Sequence, residues 1–128
     1  MTNNSRLRVL VVEDEPLIRW SIAETLGREG HTVLEADDAE SAIRAVGDMP
    51  EPADVVLLDY RLPDSNDLTL LATIRRLAPS SAVVMMTAHG TPDVTRRALE
   101  LGAYDVVDKP FDMSDIEPML LSAVAATR

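Results

Sequence analysis

The chain has 128 residues, enough for one domain with a full hydrophobic core. Its formal net charge is −10, and an acidic domain repels phosphate backbones, so direct nucleic-acid binding is not expected. Cysteine is absent, which excludes disulfides, thiol nucleophiles and thiolate metal sites. No apolar run approaches the ~18 residues of a membrane span, and "MTNNSRLR" lacks the apolar stretch of a secretory signal. The expected location is the cytoplasm.

"LRVLVV" (Leu7 to Val12) is an apolar, β-branched run of strand length. "PLIRWSIAETLGREG" follows as a helix from Pro16 to Gly30, with Leu17, Ile18, Ile22 and Leu26 at helical spacing. "HTVLEA" (His31 to Ala36) is a weaker strand. "DAESAIRAVG" is a helix with Asp37 or Asp38 as N-cap and Gly47 at its end. "ADVVLLD" (Ala53 to Asp59) is a strand, and "DLTLLATIRRLAP" a helix whose Leu68, Leu71, Ile74 and Leu77 form one stripe. "SAVVMMT" (Ser81 to Thr87) is the fourth strand, with the Met85–Met86 pair as core. "TPDVTRRALELG" opens on a cap and a first-turn proline and closes on Gly102. "YDVV" (Tyr104 to Val107) is the last strand. "SDIEPMLLSAVAA" is the last helix, where Pro118 is tolerable only near the first turn.

Strands alternating with helices, several of them unbroken apolar runs, predict an α/β fold: a five-stranded parallel sheet, doubly wound as (βα)5. Ligands of such sheets bind outside the carboxyl ends of the strands. Glu13, Asp14 and Glu15 follow the first strand, Asp59 ends the third, Thr87 the fourth, and Asp108 and Lys109 follow the fifth. Glu15 and Asp108 alone read as wet strand ends. The set reads otherwise, because clustered carboxylates repel unless a positive group joins them. An oxygen-rich, cysteine-free cluster suits a hard divalent ion, Mg²⁺ above all, with Mn²⁺ as the alternative.

Lys109 is the single lysine beside eleven arginines. An ammonium is a compact point charge, whereas a guanidinium fork would crowd a metal beside the same carboxylate. Chance retention of one lysine is the plain alternative. Trp20 reads as packing or partial exposure, His31 as surface, and His89 as a border of the site.

"VLVVEDEP", "VVLLDYRLPD", "VVMMTAHG" and "GAYDVVDKPF", in this order and spacing, resemble the receiver domains of two-component response regulators. "MMTAHGTPDV" and "GAYDVVDKPFDM" look most like receivers of the NtrC type, which sit ahead of an ATPase and a DNA-binding domain. The resemblance implies a flavodoxin/CheY-like fold over residues 1–128, either a complete regulator or the N-terminal module of a longer one. It implies that Asp59 is the phosphate acceptor and one of the Mg²⁺ ligands. Asp14 would bind the metal directly, Glu13 through water, and Arg61 through its main-chain carbonyl. Thr87 would bond the phosphoryl group, with Ala88 and His89 bordering the site. Lys109 would contact the acceptor carboxylate or its phosphate, held by a cis bond to Pro110. The implied partners are a histidine kinase or phosphotransfer protein and, on phosphorylation, a second copy of the chain. The chain would catalyse its own phosphorylation and dephosphorylation, with transcription as the output.

The chemistry agrees with these roles. A carboxylate attacking phosphorus needs its own charge and the incoming charge neutralised, and a covalent acyl phosphate splits the reaction into two steps. The chain departs from the family at three places. Val106 stands where many receivers carry Tyr or Phe, Asp67 where they carry Gly, and Glu13 where they carry Asp. Asn66 and Asp67 tolerate left-handed backbone better than most residues. Two rival readings remain: a pseudo-receiver that only binds proteins, against which the intact acid, Thr and Lys set argues, and an aspartyl-phosphate hydrolase. Such hydrolases place a second Asp two residues after the nucleophile, where this chain has Arg61. No G-x-G-x-x-G follows a strand, which leaves a dinucleotide-binding domain unsupported.

Overall fold

A computed structural model describes residues 6–65 and 68–127. The elements are β1 (Arg8–Val12), α1 (Pro16–Arg28), β2 (Thr32–Ala36), α2 (Ala39–Asp48), β3 (Val55–Asp59), α3 (Thr69–Leu77), β4 (Ala82–Thr87), α4 (Pro92–Glu100), β5 (Asp105–Asp108) and α5 (Ile116–Thr127). A turn of 3₁₀ helix (Met113–Asp115) leads into α5. All strand pairs are parallel, in the order β2-β1-β3-β4-β5. The chain steps from β1 outward to β2, then back across β1 to β3. The order therefore reverses between β1 and β3, and a crevice opens there at the carboxyl ends.

Successive side chains of a strand point to opposite faces, and both faces are covered. Leu10, Val12, Val56, Leu58, Val83 and Met85 pack with Ala42, Leu71, Ile74 and Ala98 from α2, α3 and α4. Val9, Val11, Val55, Leu57, Val84 and Met86 pack with Ile22 and Leu26 of α1 and with Ile116 and Leu120 of α5. Burial on both faces is why β1, β3 and β4 read as unbroken apolar runs. β2 and β5 are the edges. Thr32, Leu34 and Glu35 of β2 are exposed, as are Asp105 and Asp108 of β5. An edge strand needs less apolar sequence, which accounts for the weak signal of "HTVLEA".

Several expectations are corrected. Leu17 is not core; it is 71% exposed, standing about 140° around α1 from Ile22 at 3.6 residues per turn. Leu77 is also exposed. Steps of three residues fall about 60° short of a turn each, so Leu77 has drifted roughly 120° from Leu71. Leu70 takes its place in the core. Gly47 does not end α2, which runs on to Asp48 and stops at an extended Met49 before Pro50; the residue before a proline avoids the helical region. His31 is buried rather than superficial. Its Nδ1 accepts from the Leu7 N–H at 2.9 Å and its Nε2 faces Glu117 at 2.7 Å. The ring thus ties β1, β2 and α5 together at the end of the sheet opposite the acids. Asp38 is the N-cap of α2, accepting from Ser41 N–H at 2.7 Å. The turn expected at Asn66 and Asp67 lies outside the described residues.

Gly102 closes α4 at φ +108°, and a Cβ there would lie 2.7 Å from Arg75 Nε. Arg75 in turn donates to the Ser81 carbonyl at 2.7 Å. Gly102→Ala is expected to lower stability by roughly 1–3 kcal/mol, through left-handed strain on a residue with a side chain. Urea denaturation measures it: the midpoint falls and the slope stays constant.

Candidate functional site

Parallel register brings the strand ends to one edge, and the ladder holds the residues just past them. Glu13 N–H donates to Ala36 O at 3.0 Å, Tyr60 N–H to Met86 O at 2.8 Å and Lys109 N–H to Thr87 O at 2.8 Å. The backbone of each site residue is therefore fixed by a neighbouring strand before any side chain is considered.

Glu13, Asp59 and Thr87 are buried, and Asp14 is exposed at the mouth. One carboxylate oxygen from each of Glu13, Asp14 and Asp59 lies within 4.8 Å of the others. The Lys109 ammonium, half-buried, stands 2.6 Å from Glu13 Oε1 and 3.2 Å from Asp59 Oδ2. Lys109 thus holds Glu13 more closely than Asp59. The other Glu13 oxygen accepts from Glu15 N–H at 3.1 Å.

Burial raises the Asp59 pKa, the Glu13 charge raises it further, and Lys109 pulls it back down; the balance lies at about 6. Burial alone would lower the Lys109 pKa. The hydrogen bond to Glu13 and the Asp59 charge outweigh that and raise it. Asp59 is consequently ionised at neutral pH, but held less comfortably than a carboxylate in water.

Three carboxylates against one ammonium leave a formal excess of two negative charges. The donors are all oxygen, and Asp14 opens to solvent. Such a set fits a hard divalent cation. Asp14 and Asp59 are the residues with oxygens to give it directly. Glu13 and Asp59 each have protein partners on both oxygens, but those of Glu13 are the shorter, 2.6 and 3.1 Å against 3.2 and 3.4 Å, which suits Glu13 to contact through water. The Arg61 N–H donates to Asp59 Oδ1 at 3.4 Å, and its side chain is exposed.

The remaining expected residues surround this cluster. Thr87 Oγ1 accepts from His89 N–H at 3.2 Å. His89 and Ala88 are exposed in the loop after β4, and what His89 adds to the pocket is that backbone donor. The Lys109–Pro110 peptide is cis. Val106 pairs with Met85 and is partly buried against the α2–α4 side of the core.

Two site supports escaped the sequence reading. Arg19 of α1 donates to the Glu13 carbonyl at 2.8 Å and to Glu35 at 3.1 Å. Asp64, in the loop after Asp59, accepts from the first two amides of α2, Ala39 at 2.8 Å and Glu40 at 3.1 Å. These are N–H groups that a helix leaves without partners, and an anion there is favoured. The loop after Asp59 is thereby pinned to the start of α2. Nothing in the spacing of either residue signals its contact.

A second group, Glu29, His31 and Glu117, also brings ligand atoms within 4.8 Å. It is a poor metal site. His31 Nδ1 accepts a backbone proton, so the ring proton sits on Nε2 and donates to Glu117.

Residues 9–121 match the family model of the response regulator receiver domain. The response regulator protein PilR of Pseudomonas aeruginosa is 36% identical over 120 residues, covering 94% of this chain and 26% of PilR. The DNA-binding transcriptional regulator NtrC of Proteus hauseri is 34% identical over 120 residues, covering 94% of this chain and 25% of NtrC. The chain therefore spans about a quarter of the length of these relatives. The solution structure of the beryllofluoride-activated NtrC4 receiver domain dimer superposes with a TM-score of 0.85 at 30% identity, covering 94% of this chain and 98% of that one. Among the described residues no helix is long and apolar enough to cross a membrane. The family match runs from β1 into α5 and takes in every strand that carries the acid pocket, and on that ground the chain belongs to the response regulator receiver domains of two-component systems.

Proposed function

We propose that this domain is a phosphorylation-controlled switch that accepts a phosphoryl group on Asp59 from a histidine kinase or phosphotransfer protein. The observation that carries this reading is the Lys109 ammonium set between the buried carboxylates of Glu13 and Asp59, with the Lys109 backbone hydrogen-bonded to that of Thr87. An Asp59 oxygen attacks phosphorus, the bond from phosphorus to the donor's histidine nitrogen breaks, and that nitrogen keeps the electron pair and takes a proton. Lys109 offsets charge on Asp59 and on the arriving oxygens. The Thr87 hydroxyl, already accepting from His89, has its proton free to donate to a phosphoryl oxygen. Asp14, Asp59 and the Arg61 carbonyl would hold Mg²⁺, with Glu13 behind a water. When bound, the ion neutralises the remaining charge and orients the donor phosphate.

The output surface is assigned to α4, β5 and α5. Ala98 is the one fully buried residue of α4, so little apolar packing resists its displacement. Leu99, Leu101 and Tyr104 are exposed large side chains on and after α4. They suit contact with a second copy once the helix moves, in line with the dimer formed by the NtrC4 receiver. Transcription as the final output is carried by the NtrC relative.

Given Mg²⁺ and a small phosphodonor such as acetyl phosphate, the protein is expected to gain one phosphoryl group. Asp59→Asn should gain none at that position, and chelation should abolish uptake. Mass spectrometry locates the group; a phosphate elsewhere, or uptake indifferent to chelator, overturns the assignment.

The raised Asp59 pKa has a stability consequence. Its folded value, about 6, exceeds the ordinary 3.8, so ionised Asp59 costs the metal-free fold stability above pH about 6. The cost fades as pH falls toward 3.8. In chelator, Asp59→Asn should stabilise the protein on the order of 2 kcal/mol at mildly alkaline pH. The advantage should shrink toward pH about 4. Denaturant titrations across that range measure it.

Lys109→Arg should keep the circular dichroism spectrum and slow phosphorylation on the order of 10- to 100-fold, the scale of an ångström's misplacement at a reacting centre. Wild-type kinetics in this variant would show that any cation serves.

A further inference from the structure

Thr87 and α4 are joined by a contact that the proposed chemistry does not use. A Cβ on Gly90 would lie 2.8 Å from Thr87 Cγ2 and 3.1 Å from Asp108 Oδ1. Gly90 has no positive φ, so its backbone alone does not call for glycine. The space does. Thr87 is almost wholly buried, and Thr87 and Asp108 are direct partners in the β4–β5 ladder. Gly90 therefore rests with the methyl of one and the carboxylate of the other in the space a side chain would take.

We propose that Gly90 is the positioning residue that couples the Thr87 side chain to α4, because its missing Cβ lets the Thr87 methyl bear directly on the loop. The hydroxyl and methyl of threonine share one Cβ and move together, and the β-branch leaves few χ1 positions. When the hydroxyl shifts toward an acceptor on Asp59, the methyl moves with it, and its close contact with Gly90 changes. The next residue, Thr91, is the N-cap of α4 and accepts from Val94 N–H at 3.2 Å. Pro92 opens the helix directly after it. Movement at Gly90 thus arrives at a helix end with one residue of chain between. Val106 offers no ring to fill space vacated by Thr87, so the route from Thr87 to the helix is the loop, entered through the His89 N–H at the hydroxyl and through Gly90 at the methyl.

The coupling rests on the phosphorylation reading, and the experiment separates the two. Amide spectra of the ¹⁵N-labelled chain are recorded with and without Mg²⁺ and beryllofluoride, and phosphoryl uptake is measured beside them. The wild type should shift signals from Thr87 to Leu101 on adding the mimic. Gly90→Ala should take up phosphoryl at the wild-type rate yet show displaced α4 signals before any mimic is added. The double variant Thr87→Ser with Gly90→Ala removes the methyl, the closer of the two contacts, and the exposed Asp108 carboxylate has solvent to turn into, so the new Cβ has room. Its resting α4 signals should return to wild-type positions, a rescue that mere loop damage would not produce. Gly90→Ala with a wild-type resting spectrum and full response overturns the coupling while leaving phosphorylation intact. Should Gly90→Ala fail to fold, the double variant decides: folding with wild-type signals supports the contact, and failure overturns it. A wild type that takes up no phosphoryl at Asp59 overturns the phosphorylation reading and the coupling with it.

Discussion

The Lys109 ammonium between Glu13 and Asp59 is the contact on which the rest of this molecule turns. It joins the ends of β1, β3 and β5 through side chains, at an edge where the backbone ladder has just run out. Each carboxylate has lost water, and either one without its cation would be a buried, uncompensated charge, a condition that costs several kcal/mol in proteins generally. One ammonium offsets only part of the acid. What remains is a standing preference for another cation at the mouth, where Asp14 is exposed.

That arrangement needs scaffolding from a distance. Arg19 grips the carbonyl of Glu13 from α1, and Asp64 fastens the loop after Asp59 to the first amides of α2. At the far end of the sheet, His31 closes the start of β1 against β2 and α5. Each tie spends a polar side chain on a backbone group that would otherwise lack a partner. Together they leave the carboxylates on elements that resist movement.

The sequence revealed the sheet best where burial is two-sided. β1, β3 and β4 are unbroken apolar runs because both faces are covered, whereas the edge strands β2 and β5 carry exposed residues, and β2 read faintly. Helix existence followed from periodicity, but individual faces did not. Leu17 and Leu77 look apolar at plausible spacing and still point outward, since geometry at 3.6 residues per turn, not residue type, selects the face. The acids and the lysine were legible because strand ends of a parallel sheet converge by topology. Lys109 choosing Glu13 as its nearer partner was not, because it depends on side-chain reach of a few tenths of an ångström. Asp64 was invisible as a cap of α2, since no local pattern links a loop residue to a helix start 25 residues earlier in the chain. Gly90 drew no notice for a related reason: its need for glycine comes from neighbours on β4 and β5, not from a turn signal.

The distribution of packing then bears on what can move. The central strands bury every residue of β3 and β4, while α4 buries one. On the proposed reading, a charge added at Asp59 meets a rigid floor on the sheet side and a lightly held helix beyond the β4 loop. Thr87 stands between them, its carbonyl held by Lys109 N–H and its side chain pressed toward Gly90. The backbone bond keeps the strand end fixed, which leaves the side chain as the part able to carry the proposed displacement. With Val106 on β5, short and stiff at χ1, the proposed path runs through the loop into the first turn of α4.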